Sequence, residues 1–221
     1  MSKLLKTVFL LFSACFILTG CAESRGYIDL SEIVKNDLNS TQNNKTVFID
    51  KYIDTRKFST NASTPDQPTY NPRVGLNDDE KSRIIARKRD SFGKALGDIL
   101  LKDNLTTEKL VRNVVAQSFV DAGYNVVDED PENKAVKCNI IVNKLWGWIS
   151  PGFWSIGVVT NTELTLDLSY NNKSDSIHTY QKEETRGSFI TSKGWRTTFK
   201  NNFFSVKQDL TDKIRKSPIS K

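Results

Sequence analysis

Apolar and polar residues alternate most clearly in the second half of the chain. Alternate residues of a β-strand face the same side of a sheet, so this pattern predicts strands that bury one face. One strand is expected around residues 136–142, a second over 162–170 and a more polar third over 176–190. The first two bury Val136, Cys138, Ile140, Val142, Leu164, Leu166, Leu168 and Tyr170. With the turn residues Asn171–Ser174 between the second and third segments, this alternation predicts an antiparallel meander with one wet face.

Two other segments have apolar residues at helical spacing. Thr106 or Thr107 can cap the first helix, and Gly123 ends it. Its apolar face consists of Leu110, Val111, Val114, Val115, Phe119 and Ala122. The second helix is close to the C-terminus, and its apolar stripe consists of Trp195, Phe199, Phe203, Val206, Leu210 and Ile214. We expect both stripes to pack onto the sheet.

Two shorter strands are predicted nearer the N-terminus, at Val47–Ile53 and Ala95–Leu101. Residues 55–80 between them are polar and interrupted by prolines, which predicts a loop. The basic stretch Lys81–Arg89 is interpreted as a solvated face, with acidic lipid headgroups as the alternative. The predicted fold class is α/β (α+β), a two-layer domain with a small, mainly antiparallel sheet and two helices packed on one face.

The N-terminus has the pattern of an export signal, because Lys3 and Lys6 precede an apolar run that ends at Leu18. The residues 18–21, Leu-Thr-Gly-Cys, resemble the bacterial lipobox, in which the cysteine thiol accepts a diacylglyceryl group. An ordinary signal peptide or an uncleaved anchor is the alternative. We expect a lipoprotein signal peptide over 1–20, a lipidated Cys21 with a flexible tether over 21–45, and a single periplasmic α/β domain over 46–216.

Composition changes once this signal is removed. The 221 residues contain 32 Lys+Arg and 26 Asp+Glu, a net charge of +6. Residues 1–20 carry two lysines and no acid, so the remaining 201 residues carry +4. Cys15 leaves with the signal and Cys21 would be acylated, which leaves Cys138 as a free thiol. Because Cys138 is on the apolar face of its strand, we expect it to be a buried structural residue.

Residues suited to catalysis or metal binding are scarce in this sequence. His178 is its one histidine, and the sequence has no Cys pair, HExxH motif or Asp-rich calcium loop. Glu183 and Glu184 are neighbours in a strand and therefore point to opposite faces. The sequence predicts no metal, no cofactor, no nucleic-acid partner and no enzymatic activity. A hydrolase with an unrecognised site is the remaining enzymatic alternative.

The aromatic residues are concentrated in one region between two predicted strands. Three of the four tryptophans lie within residues 146–154, around the turn signal Pro151-Gly152. Trp and Phe in an exposed loop are typical of partner contacts, membrane-interface contacts and sugar stacking. The alternative is that the rings fold back and cap the core. The candidate partner-binding residues are Trp146, Trp148, Phe153 and Trp154.

The assembled order of motifs resembles the YajG-type family of uncharacterised bacterial lipoproteins over roughly residues 45–215. The resemblance rests on the lipobox, Asp54-Thr55-Arg56, Val74-Gly75, residues 122–126, the strand over 139–145 and the strand-strand-helix ending. The long polar segment Arg56–Arg89 and the Trp-rich loop depart from it. The resemblance implies a small periplasmic α/β domain and supplies no functional residues. Ala22 after the acylated cysteine favours the outer membrane.

Taken together, these patterns predict a lipoprotein of the bacterial outer membrane that faces the periplasm. The expected function is a non-enzymatic binding or accessory module for a cell-envelope partner, with the Trp-rich loop as its contact surface. The alternative is a peptidoglycan or glycan binder that stacks sugar rings on Trp146, Trp148 and Trp154.

Overall fold

Eight strands form one sheet in this computed structural model, which describes residues 25–34, 45–90, 94–130 and 132–220. The strands are β1 Gly26–Ile28, β2 Thr46–Asp54, β3 Ile84–Arg89, β4 Ala95–Leu101, β5 Asn125–Val127, β6 Val136–Pro151, β7 Ile156–Tyr170 and β8 Lys173–Gly187. The helices are α1 Ser31–Val34, α2 Asp78–Arg83, α3 Thr107–Asp121 and α4 Ser192–Lys216, followed by a 3₁₀ turn at Pro218–Ser220. The fold is therefore mixed α+β, as expected.

The sheet is larger than the small sheet that the sequence predicted. Its order is β1-β4-β3-β6-β2-β5, and β7 joins β6 and β8. The antiparallel ladders β6–β7 and β7–β8 are the longest, which confirms the meander. The pairings β1–β4, β2–β5, β2–β6 and β3–β6 are parallel. Parallel pairing joins segments far apart in the chain, so local alternation did not predict it.

Both predicted helices form, and both contribute to one hydrophobic cluster with the sheet. Leu110, Val114 and Phe119 of α3 are buried in it. The α4 stripe is buried in the same cluster along its length, from Trp195 to Ile214. Each helix begins at a threonine, because Thr106 Oγ1 accepts from the Lys109 N–H and Thr191 Oγ1 from the Gly194 N–H.

Residues 25–34 belong to the fold, which differs from the tether expected over 21–45. Gly26–Ile28 pairs with β4, and Ile28 and Leu30 are buried in the main hydrophobic cluster. This short apolar patch gains a partner about 70 residues further along the chain, which no local pattern indicates. The rest of the expected tether, 21–24 and 35–44, lies outside the described residues.

The polar segment after β2 covers the other face of β6. Leu145 and Trp146 are consecutive strand residues, and both are fully buried. Since consecutive residues point to opposite faces, the sheet is covered on both sides here. Trp146 packs with Ile84 and Leu100, and the partly buried Phe58, Tyr70 and Leu76 of the segment complete this second cluster. The expected two-layer arrangement with one wet face therefore needs correction at this point.

Arg56 ties this segment to the strands. Its guanidinium pairs with Asp54 and donates to the Ile84 carbonyl at 2.8 Å and the Leu145 carbonyl at 3.2 Å. It also donates to the Lys81 carbonyl at 3.2 Å. The motif Asp54-Thr55-Arg56, one of those that carry the family resemblance, thus closes the end of β2 onto β3 and β6.

Candidate functional site

Phe153 and Trp154 project from the tip of the β6–β7 hairpin. The Gly152 N–H donates to the Ser155 carbonyl at 2.9 Å and closes the turn that Pro151-Gly152 predicted. The exposed fractions of Phe153 and Trp154 are 90% and 89%. Their ring centroids are 4.7 Å apart at an interplanar angle of 84°, an edge-to-face pair. The two rings therefore form a small apolar surface that contacts little else in the described chain.

Arg186 of β8 supports this tip from the neighbouring strand. Its guanidinium donates to Ser155 Oγ at 3.3 Å and to Ser150 Oγ at 3.4 Å. It also forms an ion pair with Glu184 at 2.8 Å. These contacts link the base of the turn to β8, so the two aromatic side chains extend from a braced hairpin.

The structure separates the four aromatic residues that the sequence grouped together. Trp146 is fully buried, donates from Nε1 to the Pro65 carbonyl at 3.3 Å and meets the Phe58 ring edge-on. Its ring has no surface for stacking, so the cap interpretation describes Trp146. Trp148 is half-buried, with Lys182 Nζ 5.6 Å from its ring centroid. The exposed candidates are Phe153 and Trp154.

Gly147 explains why the strand between the two tryptophans lies so close to α4. A Cβ atom on Gly147 would lie 2.9 Å from both the Phe199 and the Trp195 rings. The rings of α4 thus pack directly on the Gly147 backbone, while Trp146 and Trp148 project to the opposite face. The sequence Trp-Gly-Trp is a packing feature, which the concentration of aromatic residues alone did not reveal.

A basic cavity of about 550 Å³ lies where β3 ends and β4 begins. Arg73, Arg87, Arg89 and Lys94 contribute to its lining. Arg87 is buried and pairs with Asp98 at 3.5 Å, so part of the stretch Lys81–Arg89 is inside the fold, which corrects its interpretation as a solvated face. Burial, followed by the charge of Arg87, lowers the pKa of Arg89. The clustered basic residues in the sequence were the available signal for this cavity.

The other titratable residues that the sequence singled out make contacts within the fold. Cys138 is buried in β6, and burial raises the pKa of its thiol far above the usual range. His178 Nε2 lies 3.0 Å from Glu163 Oε1 on the exposed side of β8. Glu183 accepts from Ser205 of α4, while Glu184 pairs with Arg186. Among the described residues, no group of three or more His, Cys, Asp or Glu side chains could hold a metal ion.

The predicted lipidation site, Cys21, lies outside the described residues. Within the parts of the chain that the structure describes, no helix is long and apolar enough to cross a membrane.

Comparison with known proteins finds structural neighbours of low sequence identity. No family model and no curated protein matches the chain. One solved structure, of an uncharacterized protein, is 11% identical with a TM-score of 0.48, covering 86% of this chain and 99% of that one. Protein XCC0632 from Xanthomonas campestris, of family DUF330, is 11% identical with a TM-score of 0.45, covering 85% and 92%. The hypothetical protein CT253 from Chlamydia trachomatis is 9% identical with a TM-score of 0.34, covering 76% and 95%.

Proposed function

We propose that the chain is an outer-membrane lipoprotein whose domain is a non-enzymatic binding module for a cell-envelope partner, with the β6–β7 tip as its contact surface. The observation that carries the proposal is the exposure of Phe153 and Trp154 on a hairpin braced by Arg186. Large neighbouring apolar rings in water are unfavourable for a free domain, and aromatic side chains of this kind concentrate binding energy in interfaces.

Attachment to the membrane is the second part of the proposal. The lipobox-like residues 18–21 support acylation of Cys21, Ala22 supports transfer to the outer membrane, and the motif order supports membership of the YajG-type family. Several acyl chains would hold the protein durably, since each buried methylene contributes about 0.8 kcal/mol. Metabolic labelling with a palmitate analogue should mark the wild-type protein in the outer-membrane fraction. The Cys21→Ser variant should lose both the label and the membrane retention.

In-cell photocrosslinking tests the contact surface. A photoreactive phenylalanine analogue in place of Trp154 should crosslink to a component of the cell envelope. The matched control is the same analogue at Asn172, an exposed residue in the turn between β7 and β8 at the other end of the hairpin strands. Equal products from both positions would contradict a contact surface at the tip.

Glycan binding is the second candidate, and the exposed Phe153 and Trp154 rings favour it in a modified form. The fully buried Trp146 cannot stack on a sugar, so the platform would consist of Trp154 and Phe153, with the half-buried Trp148 beside Lys182. Incubation of the acylated protein with purified sacculi distinguishes the two candidates. If the wild type stays bound to the sacculi and Trp154→Ala does not, glycan binding is supported. Loss of the wild type on washing excludes glycan binding.

A further inference from the structure

Three features of the sheet meet at one of its ends, here called the aromatic end because Phe153 and Trp154 lie there. β3 is parallel to β6 and antiparallel to β4, so the end of β3, the start of β4 and the β6–β7 turn are at the same end. β8 finishes there as well, because Gly187 pairs with Ile156 at the start of β7. A third exposed ring, Phe189, follows β8 with 75% of its surface exposed.

The direction of β1 relates the described start of the chain to the aromatic end. β1 runs parallel to β4, with Gly26 beside Ile99, and β4 begins at the aromatic end with Ala95 opposite Arg89. The direction of β1 is therefore away from that end. Cys21 precedes Arg25 by four residues, and an extended chain of four residues spans at most about 14 Å. A lipid on Cys21 would be attached within this distance of Arg25.

Basic groups accompany the exposed rings at the aromatic end. The cavity that Arg73, Arg89 and Lys94 help to line lies where β3 ends and β4 begins. The nearby acids are engaged within the fold, because Asp98 pairs with Arg87 and Asp90 accepts from the Lys94 backbone N–H at 2.8 Å. Guanidinium groups match the geometry of phosphate, and basic groups near a bilayer are attracted to acidic headgroups.

We propose that the domain contacts the phospholipid bilayer through the aromatic end. The partner of the hairpin tip is then the same membrane into which the acyl chains on Cys21 insert. Phe153 and Trp154 enter the boundary between headgroups and acyl chains, where tryptophan is enriched in membrane proteins. The cavity beside Arg89 receives the phosphate of an acidic lipid. This inference rests on the proposed acylation of Cys21, which brings the aromatic end to the bilayer.

Quenching of tryptophan fluorescence by brominated acyl chains tests the depth of the tip. Acylated full-length protein is reconstituted into vesicles of phosphatidylethanolamine and phosphatidylglycerol with or without bromine on the chains. We expect the wild type to be quenched and Trp154→Phe to lose most of that quenching. Trp148→Phe, a half-buried position on the same strand pair, is the matched control and should keep it.

The lipid charge tests the cavity. Replacing phosphatidylglycerol by phosphatidylcholine should weaken the quenching of the wild type. The double variant Arg73→Gln, Lys94→Gln should lose this dependence on acidic lipid. Lys173→Gln, at the opposite end of the sheet, should retain it. A double variant that keeps the wild-type dependence would overturn the role of the cavity.

Flotation of the vesicles separates the two proposals. If the protein floats with the vesicles but the wild type and Trp154→Phe are quenched equally, the anchor is supported and the membrane contact of the tip is excluded. A protein partner that covers the tip would give this result. Protein that does not float overturns the anchor and, with it, the inference that depends on the anchor.

Discussion

Gly147 shows how one missing side chain sets the distance between a strand and a helix. A Cβ atom there would lie 2.9 Å from Phe199 and Trp195 and 3.2 Å from Ala86 Cβ. A methyl group there would therefore require the two rings of α4 to shift, with Ala86 of the neighbouring strand β3 limiting the space on the other side.

Gly147→Ala should therefore lower the free energy of unfolding by about 1–3 kcal/mol, the usual cost of overpacking a core. Urea denaturation followed by circular dichroism measures the loss. Gly187→Ala is the control, because its nearest neighbour, the Phe189 carbonyl, is 3.5 Å away. Equal stabilities of the two variants would contradict the close packing of α4 on Gly147.

Arg56 stabilises the fold through a buried charge. Its guanidinium is fully buried, pairs with Asp54 and donates to several carbonyl groups. Lysine keeps the charge but lacks the planar fork that reaches Asp54, Ile84 and Leu145 together.

Arg56→Lys should cost about 3 kcal/mol, since it leaves buried carbonyls and Asp54 incompletely paired. The unfolding midpoint in urea reports the change. The adjacent exposed Lys57 offers a control, and Lys57→Ala should change stability by less than about 0.5 kcal/mol. A stable Arg56→Lys protein would show that the carbonyl contacts contribute little.

At the scale of elements, the segment over residues 57–77 closes the face of the sheet that α3 and α4 leave open. Lys144 Nζ lies 2.6 Å from Asp66 Oδ2, beside Pro65, whose carbonyl accepts from Trp146. The hydrogen bond from Lys144, followed by that from Thr64, lowers the pKa of Asp66 below its usual 3.8.

A lowered pKa means that the ionised Asp66 carboxylate stabilises the folded state. This contribution to the free energy of unfolding is complete above about pH 4 and is lost as the pH falls through the folded-state pKa. Asp66→Asn should lower stability at pH 7, and its difference from the wild type should shrink toward pH 3. Urea titrations monitored by tryptophan fluorescence give both values. A difference between the two proteins that stays constant from pH 7 to pH 3 would exclude this linkage.

The long elements were predictable because their patterns repeat. Alternation predicted the first half of β6 and the second half of β7, and the spacing from Trp195 to Ile214 predicted α4, since burial of one face requires these periods. The strands continue to Pro151 and from Ile156, through the region that the sequence placed between them. β1 was missed because three residues carry no period, and its partner β4 is distant in sequence. The exposed Phe153 and Trp154 followed from the turn signal, whereas the burial of Trp146 depended on a proline-rich segment that packs from outside the sheet.

For the whole molecule, β6 is the strand that joins both parts of the sheet. Its first half lies between β2 and β7, with Cys138 beside Ile49 and Leu168, and its second half contacts β3 at Gly147. Exposure of Cys138 therefore requires the loss of pairing on both sides of β6, which amounts to global unfolding.

Alkylation of Cys138 should consequently report global stability. Burial raises the pKa of its thiol, so the reactive thiolate is suppressed in the folded protein. Iodoacetamide, with mass spectrometry of the peptide containing Cys138, should show modification only across the urea unfolding transition. Ser188→Cys, at an exposed position, should react without denaturant. Rapid alkylation of Cys138 in buffer would indicate local opening of β6.

The short parallel ladder of β1 also has a mechanical meaning. Tension applied to the chain ahead of Arg25 loads Gly26–Ile28 first, whereas the ladders of β6, β7 and β8 lie beyond β4 and β3. Three paired residues, the buried Ile28 and Leu30 and the ion pair between Arg25 and Glu80 resist that load. The fifteen-residue strands β7 and β8 are held by far longer ladders. Under tension, β1 should detach first. The chain ahead of the domain then becomes longer while the rest of the sheet stays folded.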